Sequence, residues 1–309
     1  MIQVEQLRKV FGDTTAVDDL SFSASGGEIF GLLGPNGAGK TTTLNCICGL
    51  LTPTSGRIRV LQYDVSRDGS AARRFLGVVP QELALYEDLS AMENLQYWGG
   101  ACGMRNPVLK TRAEEILAAI GLADRAKERV RRFSGGMKRR LNFGCGILHS
   151  PKLVLLDEPT VGVDPQSRVY LLDLVRAQAR GGACVLYTTH YMEEAEALCD
   201  RLAIVDHGRI IAEGTVPELR ALSGERDLLR LSGIFPAEKV KYALKELPEL
   251  ELVQADSNGL IISVTEAPRR LPAIFAALQS AEAEIREVNL TQSSLETLFI
   301  KLTGKQLRE

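Results

Sequence analysis

The feature that most constrains this chain is a glycine-rich loop at residues 34–42, which reads GPNGAGKTT. It matches the pattern G-x-x-x-x-G-K-[ST], with an apolar run at Ile29–Leu33 before it and a helix-like stretch at Lys40–Gly49 after it. Glycine lets such a loop turn tightly, so that its backbone N–H groups can surround phosphate oxygens. A glycine-rich turn that matches by chance is the alternative, and the flanking strand and helix disfavour it. The loop therefore predicts a nucleoside triphosphate site.

Each position of this loop has a predicted part in the site. Lys40 supplies a positive charge to the β- and γ-phosphates, and the Thr41 hydroxyl is placed to ligate Mg²⁺. The other loop residues are predicted to be part of the nucleotide-binding site: Gly34, Pro35, Asn36, Gly37, Ala38, Gly39 and Thr42.

Length and charge limit the class of protein. The chain has 309 residues, enough for one large α/β domain and a smaller one, and a formal net charge of −2, which argues against a nucleic-acid partner. No stretch approaches eighteen consecutive apolar residues, and the N-terminus does not have the pattern of a secretory signal. The six cysteines show no zinc spacing, so we expect reduced core residues.

Strand-like and helical runs alternate up to about residue 220, which predicts an α/β domain over residues 1–222 with a parallel sheet. Strand signals vanish between about Glu82 and Ser150, where a helical subdomain is expected to begin with a capping box at Ser90 and Glu93. The predicted strands, several of them near-continuous apolar runs, are Gln3–Leu7, Ile29–Leu33, Ile58–Val60, Leu76–Val79, Leu153–Leu156, Val185–Thr188 and Leu202–Val205.

The pattern changes after residue 222, with the boundary placed at Ser223–Gly224. Residues 224–309 predict the order βαββαβ, a small ferredoxin-like α+β domain. This domain could have an accessory or regulatory role, and an inert extension is the alternative. A last helix is expected from Ser293, with a second capping box at Ser293 and Glu296.

Two adjacent carboxylates close a wholly apolar strand at Leu153–Leu156. We expect Asp157 to be a partner of Mg²⁺, because a hard cation prefers oxygen ligands. Glu158 is positioned to orient and deprotonate an attacking water. A solvated strand end is the alternative interpretation, which the P-loop upstream disfavours.

Three further residues are weaker candidates when each is taken alone. His190 ends the apolar strand Val185–Thr189, where it could hydrogen-bond the γ-phosphate and hold the water and Glu158 in line. Gln81 follows the run at Leu76–Pro80 and could ligate Mg²⁺ or the water. Phe11 could stack on a base. The alternatives are a core or surface histidine, a surface glutamine and a core phenylalanine.

A second turn rich in N–H groups, Ser134-Gly135-Gly136, opens another helix-like stretch. With this turn the chain resembles the ATP-binding cassette family, because the order of motifs is the family's over residues 1 to about 220. That order is the P-loop, Gln81, Ser-Gly-Gly, Asp157-Glu158, Asp164 and His190. The resemblance implies a P-loop ATPase with a RecA-like core and an inserted helical subdomain.

The resemblance also implies a mechanism in which two cassettes pair head to tail around two ATP molecules. The Ser134–Gly136 turn of one copy would contact the γ-phosphate that is held by Lys40 of the other, and Asp164 resembles the family's crossing loop. Hydrolysis would let the halves part. Phe133 and Met137 depart from the family's usual Leu and Gln at the edges of the turn, which is expected to modify contacts without abolishing activity.

A separate transmembrane permease is implied as well, with this chain peripheral on the cytoplasmic face of the membrane. Its docking groove is expected beside Gln81, from about Glu82 to Tyr97, although about half of the apolar residues there (Leu83, Leu85 and Tyr86 among them) could be core. The C-terminal residues resemble those of exporters of the drug-resistance and sodium-efflux type. The alternative is a soluble cassette that acts on the ribosome or on DNA.

Overall fold

The computed structural model describes residues 1–223, 226–245, 247, 250–291 and 295–303. The chain divides into two compact units, Met1–Glu213 and Gly214–Glu309. This division precedes the predicted boundary at Ser223–Gly224, because the helix Val216–Ser223 packs against the last helix, Leu295–Thr303. Gly224 itself lies outside the described residues.

The first unit alternates strands and helices along the chain. Its strands are β1 (Ile2–Phe11), β2 (Thr14–Ala24), β3 (Ile29–Leu33), β4 (Ser55–Val60), β5 (Tyr63–Asp64), β6 (Leu76–Val79), β7 (Leu153–Asp157), β8 (Cys184–Thr189), β9 (Arg201–Asp206) and β10 (Arg209–Thr215). Its helices are α1 (Lys40–Ile47), α2 (Val65–Arg73), α3 (Ala91–Ala101), α4 (Val108–Ala119), α5 (Gly135–Ile147), α6 (Pro165–Arg180) and α7 (Met192–Leu198).

A six-stranded sheet in the order β10-β9-β3-β8-β7-β6 forms the centre of this unit. Neighbours from β9 to β6 run parallel, and every residue of β3, β7 and β8 is buried. Burial on both faces explains why these strands are continuous apolar runs in the sequence. The carboxyl ends of β3, β7 and β8 consequently lie side by side.

The runs predicted as strands at Gln3–Leu7 and Ile58–Val60 are strands in the structure, and they lie outside the parallel sheet. They lie in β1 and β4 of a second, antiparallel sheet in the order β2-β1-β4-β5. In β1 and β4 buried and exposed residues tend to alternate, as they do when only one face of a sheet is covered. This alternation is the sequence signal that distinguishes them from the central strands.

The segment from residue 82 to residue 150, all of it described, contains helices α3, α4 and α5 and no strand. The predicted capping box at its start is confirmed. The Ser90 hydroxyl accepts a hydrogen bond from the Glu93 N–H at 3.2 Å, and the Glu93 carboxylate accepts one from the Ser90 N–H at 2.8 Å. Two N–H groups that a helix start leaves without partners are thus satisfied.

The second unit contains helices α8 (Val216–Ser223), α9 (Ala237–Lys245), α10 (Ala267–Ser280) and α11 (Leu295–Thr303), and strands β11 (Arg226–Ile234), β12 (Leu250–Ala255), β13 (Gly259–Thr265) and β14 (Glu284–Thr291). The strands pair antiparallel in the order β12-β13-β11-β14, so β11 to β14 follow the order βαββαβ. Apolar residues of α9 and α10 pack on one face of the sheet, and Ile300 of α11 packs near Leu228 and Ile261. The capping box predicted at Ser293 falls outside the described residues.

Two further observations concern the cysteines and the lengths of the helices. All six cysteines are free, and five of them are buried, whereas Cys102 is exposed, contrary to the expectation of a core residue. Across the described ranges, no helix combines the length and the apolar character that crossing a membrane requires.

Candidate nucleotide-binding site

The P-loop connects the buried strand β3 to helix α1. Gly39 adopts φ 101°, and a Cβ at this position would lie 2.4 Å from the carbonyl oxygen of Ala16, so only glycine fits here. Helix α1 begins at Lys40, and no side chain caps its first N–H groups. These free donors, together with the positive end of the helix, form an anion site.

Lys40 is buried at the start of α1, with 5% of its surface exposed. Its ammonium donates to the carbonyl oxygens of Gly34 at 2.7 Å and Pro35 at 3.0 Å, and lies 3.0 Å from Oε1 of Glu158. Glu158 is also 5% exposed. Burial alone would raise the pKa of the Glu158 carboxyl, but the nearby Lys40 and His190 together lower it below its usual value.

The second carboxylate oxygen of Glu158 lies 3.0 Å from Nδ1 of His190, which directly follows strand β8. The Glu158 backbone adopts φ 44°, a conformation that costs free energy for a residue with a side chain and is often found at functional sites. Its N–H donates to the Thr188 hydroxyl at 3.0 Å. The structure therefore brings the predicted residues Lys40, Glu158 and His190 into one connected cluster.

Asp157 ends strand β7 and accepts two hydroxyl hydrogen bonds on Oδ1. One comes from Thr188 at 2.7 Å and the other from Thr41 at 3.2 Å. The described part of the chain has no cluster of three or more His, Cys, Asp or Glu side chains that could hold a metal. A hydroxyl and one carboxylate nevertheless suit Mg²⁺, which commonly completes its coordination with water and substrate phosphate oxygens.

The Ser134–Gly136 turn caps helix α5, and the Ser134 hydroxyl accepts a hydrogen bond from the Met137 N–H at 3.3 Å. A Cβ at Gly135 would meet no atom within 4 Å, whereas one at Gly136 would lie 2.1 Å from the Ser167 hydroxyl. Glycine at 136 thus allows the starts of α5 and α6 to approach closely.

Asp164 is the capping residue of helix α6, next to this turn. Its carboxylate accepts a hydrogen bond from the Ser167 N–H at 2.9 Å, and that backbone donor is the main cause of the lowered pKa of Asp164. The structure therefore brings Asp164 and the Ser134–Gly136 turn together as a second cluster, exposed at Ser134, Gly135 and Asp164.

Two predicted residues join neither cluster through a recorded side-chain contact. Gln81 is exposed, and its backbone carbonyl accepts a hydrogen bond from Arg139; among the described residues, no recorded contact joins its side chain to Thr41 or Asp157. Phe11 is 45% exposed at the end of β1, with the Lys9 ammonium 4.8 Å from the centre of its ring. The roles given to both residues remain predictions.

The sequence reasoning missed the hydroxyl and carboxylate network behind the cluster. Buried Glu194 accepts hydrogen bonds on Oε2 from Thr160 at 2.8 Å, Tyr187 at 2.8 Å and Thr189 at 3.2 Å. Thr188, which orients Asp157, was missed too. Hydroxyls at the carboxyl end of the strand that precedes His190 were the available signal. Glu194 gave none, because it is one of several glutamates in α7 and its partner Thr160 lies 34 positions away in the sequence.

A P-loop at the end of one strand and a paired Asp-Glu at the end of a strand in the same sheet define a nucleotide-hydrolysing protein of the P-loop class. The sequence profile of the ABC transporter family matches residues 17–161. The chain belongs to this family of ATP-binding cassette proteins and is an ATPase.

Two relatives match along the whole chain, and a solved structure matches most of it. Linearmycin resistance ATP-binding protein LnrL of Bacillus subtilis (strain 168) is 41% identical, over 100% of both chains. Nod factor export ATP-binding protein I of Cupriavidus metallidurans is 37% identical, over 100% of this chain and 99% of the relative. A solved ATP-binding subunit of an ABC transporter is 32% identical with a TM-score of 0.66, over 72% of this chain and 93% of that one.

Proposed function

We propose that the chain is the ATP-hydrolysing subunit of an ABC exporter, and that two copies bind two ATP molecules between them. The observation that carries this proposal is the buried cluster in which Glu158 contacts Lys40 and His190 with its two oxygens, at 3.0 Å each. The cluster combines a cation for phosphate with a carboxylate that can serve as a base.

Without nucleotide, Lys40 and Glu158 neutralise each other. An arriving γ-phosphate would compete for the Lys40 ammonium, since its charge is larger than that of the carboxylate. Glu158 would then be released to accept a proton from a water, with His190 still holding its other oxygen. The water oxygen attacks the γ-phosphorus while the bond to the bridging oxygen breaks, which leaves ADP and phosphate.

Thr41 and Asp157 would hold Mg²⁺, with Gln81 as a further candidate ligand. Bound Mg²⁺ would neutralise charge on the phosphate oxygens. Thr188 donates to Asp157 at 2.7 Å and accepts from the Glu158 N–H, so it keeps the two carboxylates in fixed relative positions. Phe11, exposed at the end of β1, would stack on the base of the nucleotide.

The second cluster would serve a nucleotide held by the other copy. Ser134 and Gly135 are exposed, and the space around the Cα of Gly135 is open, so the start of α5 is accessible to a phosphate. Asp164 would cross between the two sites. The pair of copies would thus be a homodimer closed by ATP and opened by hydrolysis, because the γ-phosphate contacts differ between the two states.

Replacing Glu158 by Gln tests this proposal. The variant should bind ATP without turning it over, and therefore should elute as a dimer from a sizing column in ATP and Mg²⁺. Glu114→Gln, at an exposed position on α4, is the matched control and should elute like the unaltered chain. A Glu158→Gln chain that binds ATP but remains monomeric would contradict the proposal.

A permease partner fits an apolar groove of about 470 Å³ in the first unit. Leu50 and Val78, at 74% and 39% exposure, line this groove, and Pro80, next to Gln81, lines it too. Of the predicted segment from Glu82 to Tyr97, Ala84 lines the groove, whereas Leu83, Leu85 and Tyr86 do not. Docking here would link the permease to the Gln81 loop.

Export is favoured because the relatives that match the full chain include resistance and export ATP-binding proteins. The chain would accordingly lie at the cytoplasmic face of a membrane, held there by its permease. The comparisons give no support to the alternative of a soluble cassette that acts on the ribosome or on DNA.

A further inference from the structure

Arg139 connects three segments of the candidate site. It lies in the second turn of helix α5, five positions after Ser134. Its two terminal nitrogens donate to two backbone carbonyls, one of Gln81 and the other, at 3.1 Å, of Val161. Burial lowers the pKa of its guanidinium. Both acceptors belong to loops, so one side chain ties a helix to two loops.

The two loops are those that carry predicted roles in hydrolysis. Val161 lies in the turn between Glu158 and Asp164, and its N–H donates to the Glu158 carbonyl at 3.3 Å. Arg139 is therefore only two hydrogen bonds away from the Glu158 backbone. On the other side, Arg139 holds Gln81, the first residue of the exposed loop. Gln81 follows Pro80, which lines the apolar groove.

Asn142, one turn further along α5, strengthens this attachment. Its side-chain oxygen accepts from the Ala84 N–H at 3.0 Å, and its nitrogen donates to the Pro80 carbonyl at 3.4 Å. The Gln81 loop is thus held by Asn142 on both sides and by Arg139 at its start. The turn at Val161, however, is tied to α5 through Arg139.

The guanidinium suits this task because it is a rigid planar fork with several donors that point in fixed directions. A lysine ammonium carries all its donors on one nitrogen, so it cannot reproduce the two separate donor nitrogens of the guanidinium. The contacts are also made to backbone atoms, so they depend on where the loops run and not on which side chains the loops carry.

We propose that Arg139 is a positioning residue that fixes the Gln81 loop and the Val161 turn to the helix that begins at Ser134. In its presence the three segments move as one body. A displacement of the Gln81 loop, at the groove, is then passed to the backbone beside Glu158. This inference rests on the proposed roles of Gln81 and Glu158 in hydrolysis.

Hydrogen exchange of the full chain without nucleotide tests the attachment itself. In Arg139→Gln, the amides of Ala84 and Val163, both hydrogen-bonded, should exchange faster than in the unaltered chain. Arg140→Gln is the matched control, because Arg140 donates to the Ile120 carbonyl and stacks on Tyr170 instead, and has no recorded hydrogen bond to either loop among the described residues. Unchanged exchange at either amide in Arg139→Gln, or the same increase in Arg140→Gln, would overturn the proposal.

Steady-state kinetics test the consequence for hydrolysis. Arg139→Gln should lower kcat about tenfold with KM for ATP within about twofold, since misplaced groups cost rate while the Lys40 site stays intact. Arg139→Lys should recover only part of the loss. An unaltered kcat, or a loss confined to KM, would overturn the positioning role.

The two measurements separate this inference from the function on which it rests. The exchange experiment contains no nucleotide and needs no second copy, so its outcome does not depend on dimer formation. If Glu158→Gln fails to dimerise in ATP while both loops loosen in Arg139→Gln, the proposed function is wrong and the attachment stands. If Glu158→Gln dimerises and neither loop loosens, only the role of Arg139 is wrong.

Discussion

The two halves of the candidate site are built in opposite ways. Around the P-loop, Lys40, Asp157 and Glu158 are each at most 7% exposed and form hydrogen bonds or ion pairs with one another or with Thr188 and His190. Around the Ser134 turn, the helix start is exposed and the recorded side-chain hydrogen bond of Ser134 is to its own helix. One half is therefore buried and closed, and the other is exposed and open.

This difference explains why the halves should respond differently to mutation. Buried charges that neutralise each other contribute to the native state, and the loss of one partner leaves the other uncompensated. An exposed helix start contributes little to folding, since water can satisfy its N–H groups. The first half is expected to bind nucleotide by itself, and the second to act only when another copy presents a nucleotide to it.

The largest effect is expected from Lys40→Ala. The variant should lose ATP binding and at least about a thousandfold of the ATPase rate, because the phosphate loses its cation. Its free energy of unfolding should fall by about 3 kcal/mol, since Glu158 keeps a buried charge. Urea unfolding and nucleotide titration measure both, with the exposed Lys110→Ala as control. An unchanged free energy of unfolding would show that the Lys40–Glu158 pair does not stabilise the folded chain.

Ser134→Arg should separate hydrolysis from binding. A bulky charged side chain at an exposed helix start should lower the ATPase rate about a hundredfold by blocking the second cradle. Binding of ATP to the monomer and the urea midpoint should stay close to those of the unaltered chain, because Ser134 is exposed. Equal losses of ATP binding and ATPase rate in Ser134→Arg would contradict the claim that the Ser134 turn acts only on a nucleotide held by another copy.

A smaller effect is expected at the groove, outside both halves. Leu50→Glu should weaken binding of the chain to the proposed permease by about tenfold, since an apolar contact becomes charged. ATP binding and the urea midpoint should not change, because Leu50 is 74% exposed. Val108→Glu, at an exposed apolar position that does not line the groove, is the control for pull-down with membranes. Equal binding of both variants would exclude the groove as the docking site.

The smallest effect is on the pH dependence of stability without nucleotide. The pKa of Glu158 is lowered in the folded chain, so its contribution is fully present above the pKa of the unfolded chain. It is lost as the pH falls through the lower, folded value. Between about pH 6 and pH 3 the unaltered chain should therefore lose more stability than Glu158→Gln. Parallel urea midpoints over this range would contradict the lowered pKa.

The sequence predicted the residues around the P-loop far better than the contacts that connect this half of the site to other segments. Lys40, Asp157 and Glu158 follow buried apolar strands, and residues at the carboxyl ends of neighbouring parallel strands must meet. The pattern of each run did not indicate which sheet it joins, and the runs in β1 and β4 lie in the antiparallel sheet. A short apolar segment does not reveal its pairing partner.

Contacts between distant segments could not be read in the same way. Arg139 reaches backbone carbonyls in two loops, and Glu194 collects hydroxyls from two other segments. Such contacts depend on how α5 and α7 pack, which the local pattern of residues does not encode. The contact between Asp164 and Gly136 could not be predicted from the local pattern either, although both residues were predicted for the site.

The central claim, that each site is completed by a second copy, is tested most directly by mixing two inactive variants. A pair of Lys40→Ala chains, or a pair of Ser134→Arg chains, would have a defect in both of its sites. A mixed dimer would carry both defects in one site and leave the other intact, so the mixture should recover about a quarter of the unaltered ATPase rate. If both groups served one nucleotide on the same chain, the mixture would stay as inactive as its components.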